Sequence, residues 1–257
     1  MTTELLPLCG FAFMAGFVDA VVGGGGLIQL PALFVLLPGI PAATLLGTNK
    51  CSSIWGTLAA AVQFSRRMPV PWATVLPTVA AALVFSFLGA RTITGLDPAI
   101  LRPLILALLV AVLAYTLWNK NLGALHAPKL SQRLEIAAGL ATGAAIGFYD
   151  GFFGPGTGSF LIFAFVGIFG FSFLAASAAA KIVNAATNLA AIAWFAASGH
   201  VLIGIAIPMA VCNVAGSLAG TRIALRHGSR FVRLLFIVIV GALIFRYGRD
   251  ILFAASG

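Results

Sequence analysis

The sequence has 257 residues, of which 61% are hydrophobic and 8% charged, with a mean hydropathy of +1.10. A soluble domain of this size needs far more polar surface, so the composition excludes one and puts the chain in a bilayer. The net charge of +9 does not point to nucleic acid, because Lys and Arg gather at the ends of apolar segments, where they mark cytoplasmic loops and meet anionic lipid.

In chain order the pattern predicts helical segments at 5–22, 26–37, 43–65, 71–91 and 99–118. A polar linker follows at 119–133, and then come segments at 134–153, 157–169, 174–197, 201–222 and 230–252. The first lacks a basic leader and reads as a retained helix; Leu8 before Cys9 is too large for a lipoprotein cleavage site. Segments 26–37 and 157–169 are too short to span. Twelve residues at 1.5 Å rise cover about 18 Å of a ~30 Å core. Each follows a glycine-rich break, Gly23–Gly26 in one case and Gly154-Pro155-Gly156 in the other. Each pair of segments therefore reads as a broken, re-entrant hairpin, which survives at membrane depth only where protein or water covers it.

The second five segments repeat the first. Gly16-Phe-Val-Asp-Ala-Val-Val-Gly recurs from Gly147 as Gly-Phe-Tyr-Asp-Gly-Phe-Phe-Gly, an offset of 131 residues. In that register Asp19 maps on Asp150, Lys50 on Lys181, Pro77 on Pro208 and Arg91 on Arg222. The expected fold is an all-α polytopic bundle over 1–257, built from repeats 5–118 and 134–252. Each repeat has a broken hairpin plus three transmembrane helices. The basic stretches are Arg66-Arg67, Lys120/Lys129/Arg133 and Arg222/Arg226/Arg230/Arg233, while the Gly199-His200 connector has no Lys or Arg. They share one side only if each half crosses an odd number of times, which inverts the halves and leaves both termini outside the cytoplasm. Arg246 and Arg249 dissent and are expected to snorkel.

Ionisable groups inside hydrocarbon are costly and by default functional. Lys50 lies roughly 10 Å into its segment at helical rise, and Lys181 matches it. Lys50, Ser53 and Thr57 share one helix face, as do Lys181, Asn184 and Asn188, with Asn49 flanking the first stripe. Two ammonium groups among hydroxyl and amide groups suit a small oxyanion. The starts of the short segments, Gly25, Gly26, Gly156 and Thr157, add free backbone N–H groups and a positive dipole end. Asp19 and Asp150 are expected to couple protons or to pair with the lysines. The alternative pairs Lys50 with Asp19 and Lys181 with Asp150, as salt bridges that only fix packing. Glycine runs also have a plain use in close helix packing. The three histidines read as solvated, the tryptophans as interface anchors or packing residues, and the three cysteines as neither metal site nor disulfide framework.

The Gly-Phe-x-Asp-x-x-x-Gly-Gly-Gly-Gly element followed by Gly47-Thr48-Asn49-Lys50, with its second copy ending at Ala180-Lys181-Ile-Val-Asn184, resembles the TauE/SafE sulfite exporter family of permeases. The resemblance runs from about Leu6 to Leu252. It implies a bacterial inner-membrane protein moving sulfite, an organosulfonate or another small anion, with export the expected direction. The full reading is a secondary active, proton-coupled transporter without a cofactor. Its partners are a small anion, the bilayer and protons, not nucleic acid, and a homodimer stays open. The rivals are a passive anion channel and a membrane-embedded enzyme such as a lipid-modifying transferase. For the enzyme the sequence offers no metal-ligand cluster and no nucleophile–base pair.

Overall fold

The computed structural model describes residues 2–93, 110, 113, 114, 117, 118 and 130–255. The expected segment 99–118 and the linker 119–133 thus lie largely outside the described residues, with Lys120, His126 and Lys129, as do the side chains of Arg246 and Arg249. Described elements are helical: α1 Thr2–Val22, α2 Gly26–Leu36, α3 Ala42–Ser65, α4 Trp72–Thr92, α5 Gln132–Phe152, α6 Thr157–Gly167, α7 Phe173–Ala197 and α8 Ile203–Ala255. Four of them (α1, α4, α7 and α8 up to Ala242) are long and apolar enough to cross a membrane. Four such helices make this a multi-pass membrane protein. The starts of α2, α3 and α4 at Gly26, Ala42 and Trp72 recur 131 residues on, at Thr157, Phe173 and Ile203.

Towards the C-terminal end one helix is longer than the sequence pattern suggests. The expected break between segments 201–222 and 230–252 falls at Gly228 (φ 80°, ψ −177°), where α8 is kinked into two helices, and the first of them runs on past Arg222 and through Arg226. Arg, Leu and Ala are good helix formers, and a charged stretch is not thereby a loop.

Helix directions follow from the contacts. The start of α2 at Gly25 lies against Ala15 and Asp19 of α1. Its end at Leu33, Leu36 and Leu37 packs with Leu8 and Ala12 of α1 and Leu45 of α3. Hence α2 turns back beside α1. Helices α3 and α7 run antiparallel. Thr44 near the start of α3 meets His200 beyond the end of α7 (Oγ1 to Nδ1, 3.1 Å). Arg66 and Arg67 at the end of α3 share a groove with Leu174 at the start of α7.

The most extensive packing joins the halves: α4 lies along α5, and α1 along α8. Glycine makes these seams close. A Cβ on Gly216 would sit 1.9 Å from the Phe13 carbonyl oxygen, and one on Gly151 would sit 1.8 Å from that of Ser86. Reciprocal bonds cross the centre: Ser86 Oγ donates to the Thr187 carbonyl at 2.8 Å and Ser217 Oγ to the Gly56 carbonyl at 2.6 Å. Residues 86 and 217, like 56 and 187, are 131 apart, so the contacts themselves have two-fold pseudosymmetry.

Candidate functional site

The two hairpin tips meet. Gly23 and Gly154, the residues on which each break turns, both adopt positive φ (78° and 95°), which glycine takes without strain. The Gly23 carbonyl accepts from Ser159 N at 3.1 Å, and Ser159 Oγ donates to the Val22 carbonyl at 2.7 Å. The middles of α3 and α7 flank this contact.

There the two lysines are found, both buried. Lys50 Nζ donates to Asp150 Oδ2 at 2.8 Å and to Asn188 Oδ1 at 3.3 Å. Lys181 Nζ donates to Asp19 Oδ2 at 2.8 Å and to the Asp19 carbonyl. The pairing is therefore crossed between the halves, which corrects the expected Lys50–Asp19 and Lys181–Asp150 partnerships. Each α1-type helix reaches the lysine of the other half because the two hairpin tips overlap at the centre. The pairs differ in exposure: Asp150 is 3% exposed and Asp19 is 16% exposed. An ammonium and a carboxylate in contact neutralise each other, which is the arrangement buried charges require.

A small polar cavity of about 30 Å³ joins these groups. Every residue singled out from the sequence lines it except Lys181, which sits behind Asp19. Thr57 Oγ1 lies 3.4 Å from Asp19 Oδ2 and donates to the Ser53 carbonyl at 3.1 Å. Thr157 Oγ1 is turned to the Gly154 carbonyl at 2.8 Å. Asn184 Oδ1 accepts from Thr187 at 3.4 Å. The side-chain oxygen of Asn49 is buried without a hydrogen-bond partner. At the starts of α2 and α6, Gly25, Gly26 and Gly156 form the cavity wall, and Gly156 takes φ 84°.

Sequence reasoning missed Gln29 and Asn213. Gln29 donates to Ser52 Oγ, and its Oε1 accepts from Asn213 Nδ2 at 3.1 Å. Asn213 also donates to the Ala12 carbonyl at 3.1 Å, so the pair, which itself lines the cavity, ties α1, α2, α3 and α8 together there. Each amide stands alone in an apolar stretch, and that signal was available. His200 is half-buried on Thr44 rather than solvated, whereas His227 is exposed. Among the described residues no His/Cys/Asp/Glu group could hold a metal ion.

A family model described as sulfite exporter TauE/SafE matches residues 8–247. A "Probable membrane transporter protein" of Haemophilus influenzae is 36% identical over 228 residues, 88% of this chain and 88% of that protein. The "Probable membrane transporter protein ORF9" of a Sinorhizobium species is 34% identical over 239 residues, 93% and 90% of the two chains. The "Probable membrane transporter protein YfcA" of Escherichia coli K12 is 35% identical over 228 residues, 89% and 83%. No solved structure matches. With a family match over nearly its whole length, and with relatives of this identity that are named as membrane transporters, the chain belongs to the TauE/SafE sulfite exporter family of membrane transporters.

Proposed function

We propose that the protein is a secondary active, proton-coupled exporter of a small oxyanion, sulfite or a small organosulfonate, in a bacterial inner membrane. The observation that carries this reading is the crossed pair of buried ion pairs, Lys50–Asp150 and Lys181–Asp19, at the meeting point of two hairpin tips. An intact pair is neutral and offers an anion little, since the carboxylate repels what the ammonium attracts. Protonating the aspartate leaves a net positive site that an oxyanion neutralises. Proton and anion then occupy the centre together. A divalent sulfite moving with one proton carries net charge −1, and a potential negative inside favours its exit by ~2.3 kcal/mol per 100 mV.

The cavity of about 30 Å³ has room for one or two waters, less than an oxyanion needs, so the tips must part for binding. That supports alternating access over an open pore. The two halves are read as inverted repeats, 5–118 and 134–252, of a single membrane domain, an architecture suited to such motion. Antiparallel α3 and α7 support it, and so does the charge distribution. The α1 start, residues 37–41 and residues 198–202 share one face. Arg66, Arg67, Arg222 and Arg226 lie at the other, which the positive-inside rule assigns to the cytoplasm.

The test is sulfite flux in proteoliposomes under an imposed pH gradient, for wild type, Lys50→Gln and Lys181→Gln. Flux that responds to the gradient and is lost in both variants supports the reading. Flux unchanged in either variant removes that lysine from the site, and flux indifferent to the pH gradient removes the proton.

A further inference from the structure

A second cavity, of about 1000 Å³, lies outside the transport centre, in a groove between α3 and the first part of α8. Its floor is apolar, with Leu58, Leu218 and Trp55 along it, and the basic end carries Arg66, Arg67, Arg222 and Arg226. On α3 the cavity-lining face is Lys50, Ser53 and Thr57, whereas Trp55 and Leu58 are 57% and 40% exposed on the outward face. The groove therefore opens to hydrocarbon and not to the transported ion. Trp55 also lines an adjoining depression of about 430 Å³ with Ile207, Val211 and Val214, so the apolar track continues away from the arginines along α8.

We propose that this groove binds an anionic phospholipid of the leaflet at the arginine-rich face, with its phosphate held by the arginines and an acyl chain laid past Trp55. The charge argument is direct. No acidic residue lines the groove, and guanidinium groups bind phosphate in a planar, two-point fashion. Such clusters at the cytoplasmic face draw anionic lipid. The pseudosymmetric position is a control within the same molecule. There Trp194 and Phe87 stand where Gln63 and Leu218 do, their rings in edge contact at 5.8 Å, with Arg91 over the Trp194 ring at 5.8 Å. Arg66, Arg67 and Arg226 are replaced by Ala197, Ser198 and Gly95. The fold thus does not require a groove with four arginines: the other half keeps only Arg91 of the four and packs it on Trp194. A second copy of the chain is a poorer occupant, since a two-fold contact centred on the groove would set arginine against arginine.

The test uses the full chain in phosphatidylcholine vesicles, reading tryptophan fluorescence as dibrominated phosphatidylglycerol or dibrominated phosphatidylcholine replaces a small, equal share of the lipid. The expected result is stronger quenching by the anionic lipid. That excess should vanish in Trp55→Phe, which removes the reporter, and in the quadruple Arg→Gln variant at 66, 67, 222 and 226. Equal quenching by the two lipids in wild type overturns the proposal, as does an excess that survives Trp55→Phe. If the quadruple variant is not monodisperse, Arg66→Gln with Arg67→Gln and the groove-filling Ala59→Phe carry the same test. An excess undiminished in both overturns the proposal as well.

Discussion

Lys50 and Asp150 are each about 3% exposed and 2.8 Å apart, so removing one partner leaves a bare charge among helices. Lys50→Met should cost ~3 kcal/mol, and adding Asp150→Leu should restore most of it, because a buried pair replaced by packed apolar groups is close to neutral. Lys50→Met combined with Asp19→Leu should show no such recovery. Thermal or denaturant unfolding in detergent reads both; recovery with Asp19 and not with Asp150 would sink the crossed arrangement. Asp19, at 16% exposure, is the carboxylate that water reaches more readily. Asp19→Asn should leave sulfite flux down its own gradient but remove the acceleration by a pH gradient, and retained acceleration in vesicles would exonerate this group. The stripes Lys50/Ser53/Thr57 and Lys181/Asn184/Asn188 were legible because spacing along one helix fixes a shared face. The crossing was not, because spacing within a helix carries no information about which helix lies opposite.

At the scale of elements, the helix seams depend on glycine as a surface rather than as a hinge. Gly216→Ala forces a methyl to within 1.9 Å of the Phe13 carbonyl oxygen, and α1 must move off α8 to admit it. We expect a loss of about 1–3 kcal/mol, whereas Gly204→Ala, with nothing within 4 Å of its added Cβ, should be neutral. Melting temperatures of the two purified variants compare them directly, and equal values would mean the α1–α8 seam is soft. The eleven-residue α2 and α6 were legible from length alone, since such helices span about 16 Å. Their turning back was expected from the glycine breaks, and the Leu8–Leu33–Leu45 cluster gives it a physical cause: α2 buries its end against the start of its own hairpin. The continuation of α8 past Arg222 was not legible, because charge density resembles a loop whether the backbone is helical or not.

For the whole molecule, the contacts constrain topology more tightly than hydropathy can. Hydropathy distinguishes four spanning helices and passes over α3, whose Lys50, Asn49 and hydroxyls depress its score while its burial holds the centre together. Relative direction supplies what hydropathy lacks. The antiparallel run of α3 and α7 puts Gly39 on the same side as Ser198, because Thr44 and Thr48 of α3 reach His200 and Leu202. A parallel run of α3 and α7 would instead separate them. In a chain with Cys9, Cys51 and Cys212 replaced by alanine, single cysteines Gly39→Cys and Ser198→Cys should react with an impermeant maleimide added outside intact cells. Arg67→Cys and Arg230→Cys should react only once the membrane is opened. Labelling of Gly39→Cys and Ser198→Cys from opposite sides would break the antiparallel α3–α7 pairing that brings both lysines to the hairpin tips. Labelling of all four from outside would leave the fold standing and remove the arginine-rich face as the cytoplasmic one. The same four cysteines thus separate an error in the fold from an error in its orientation.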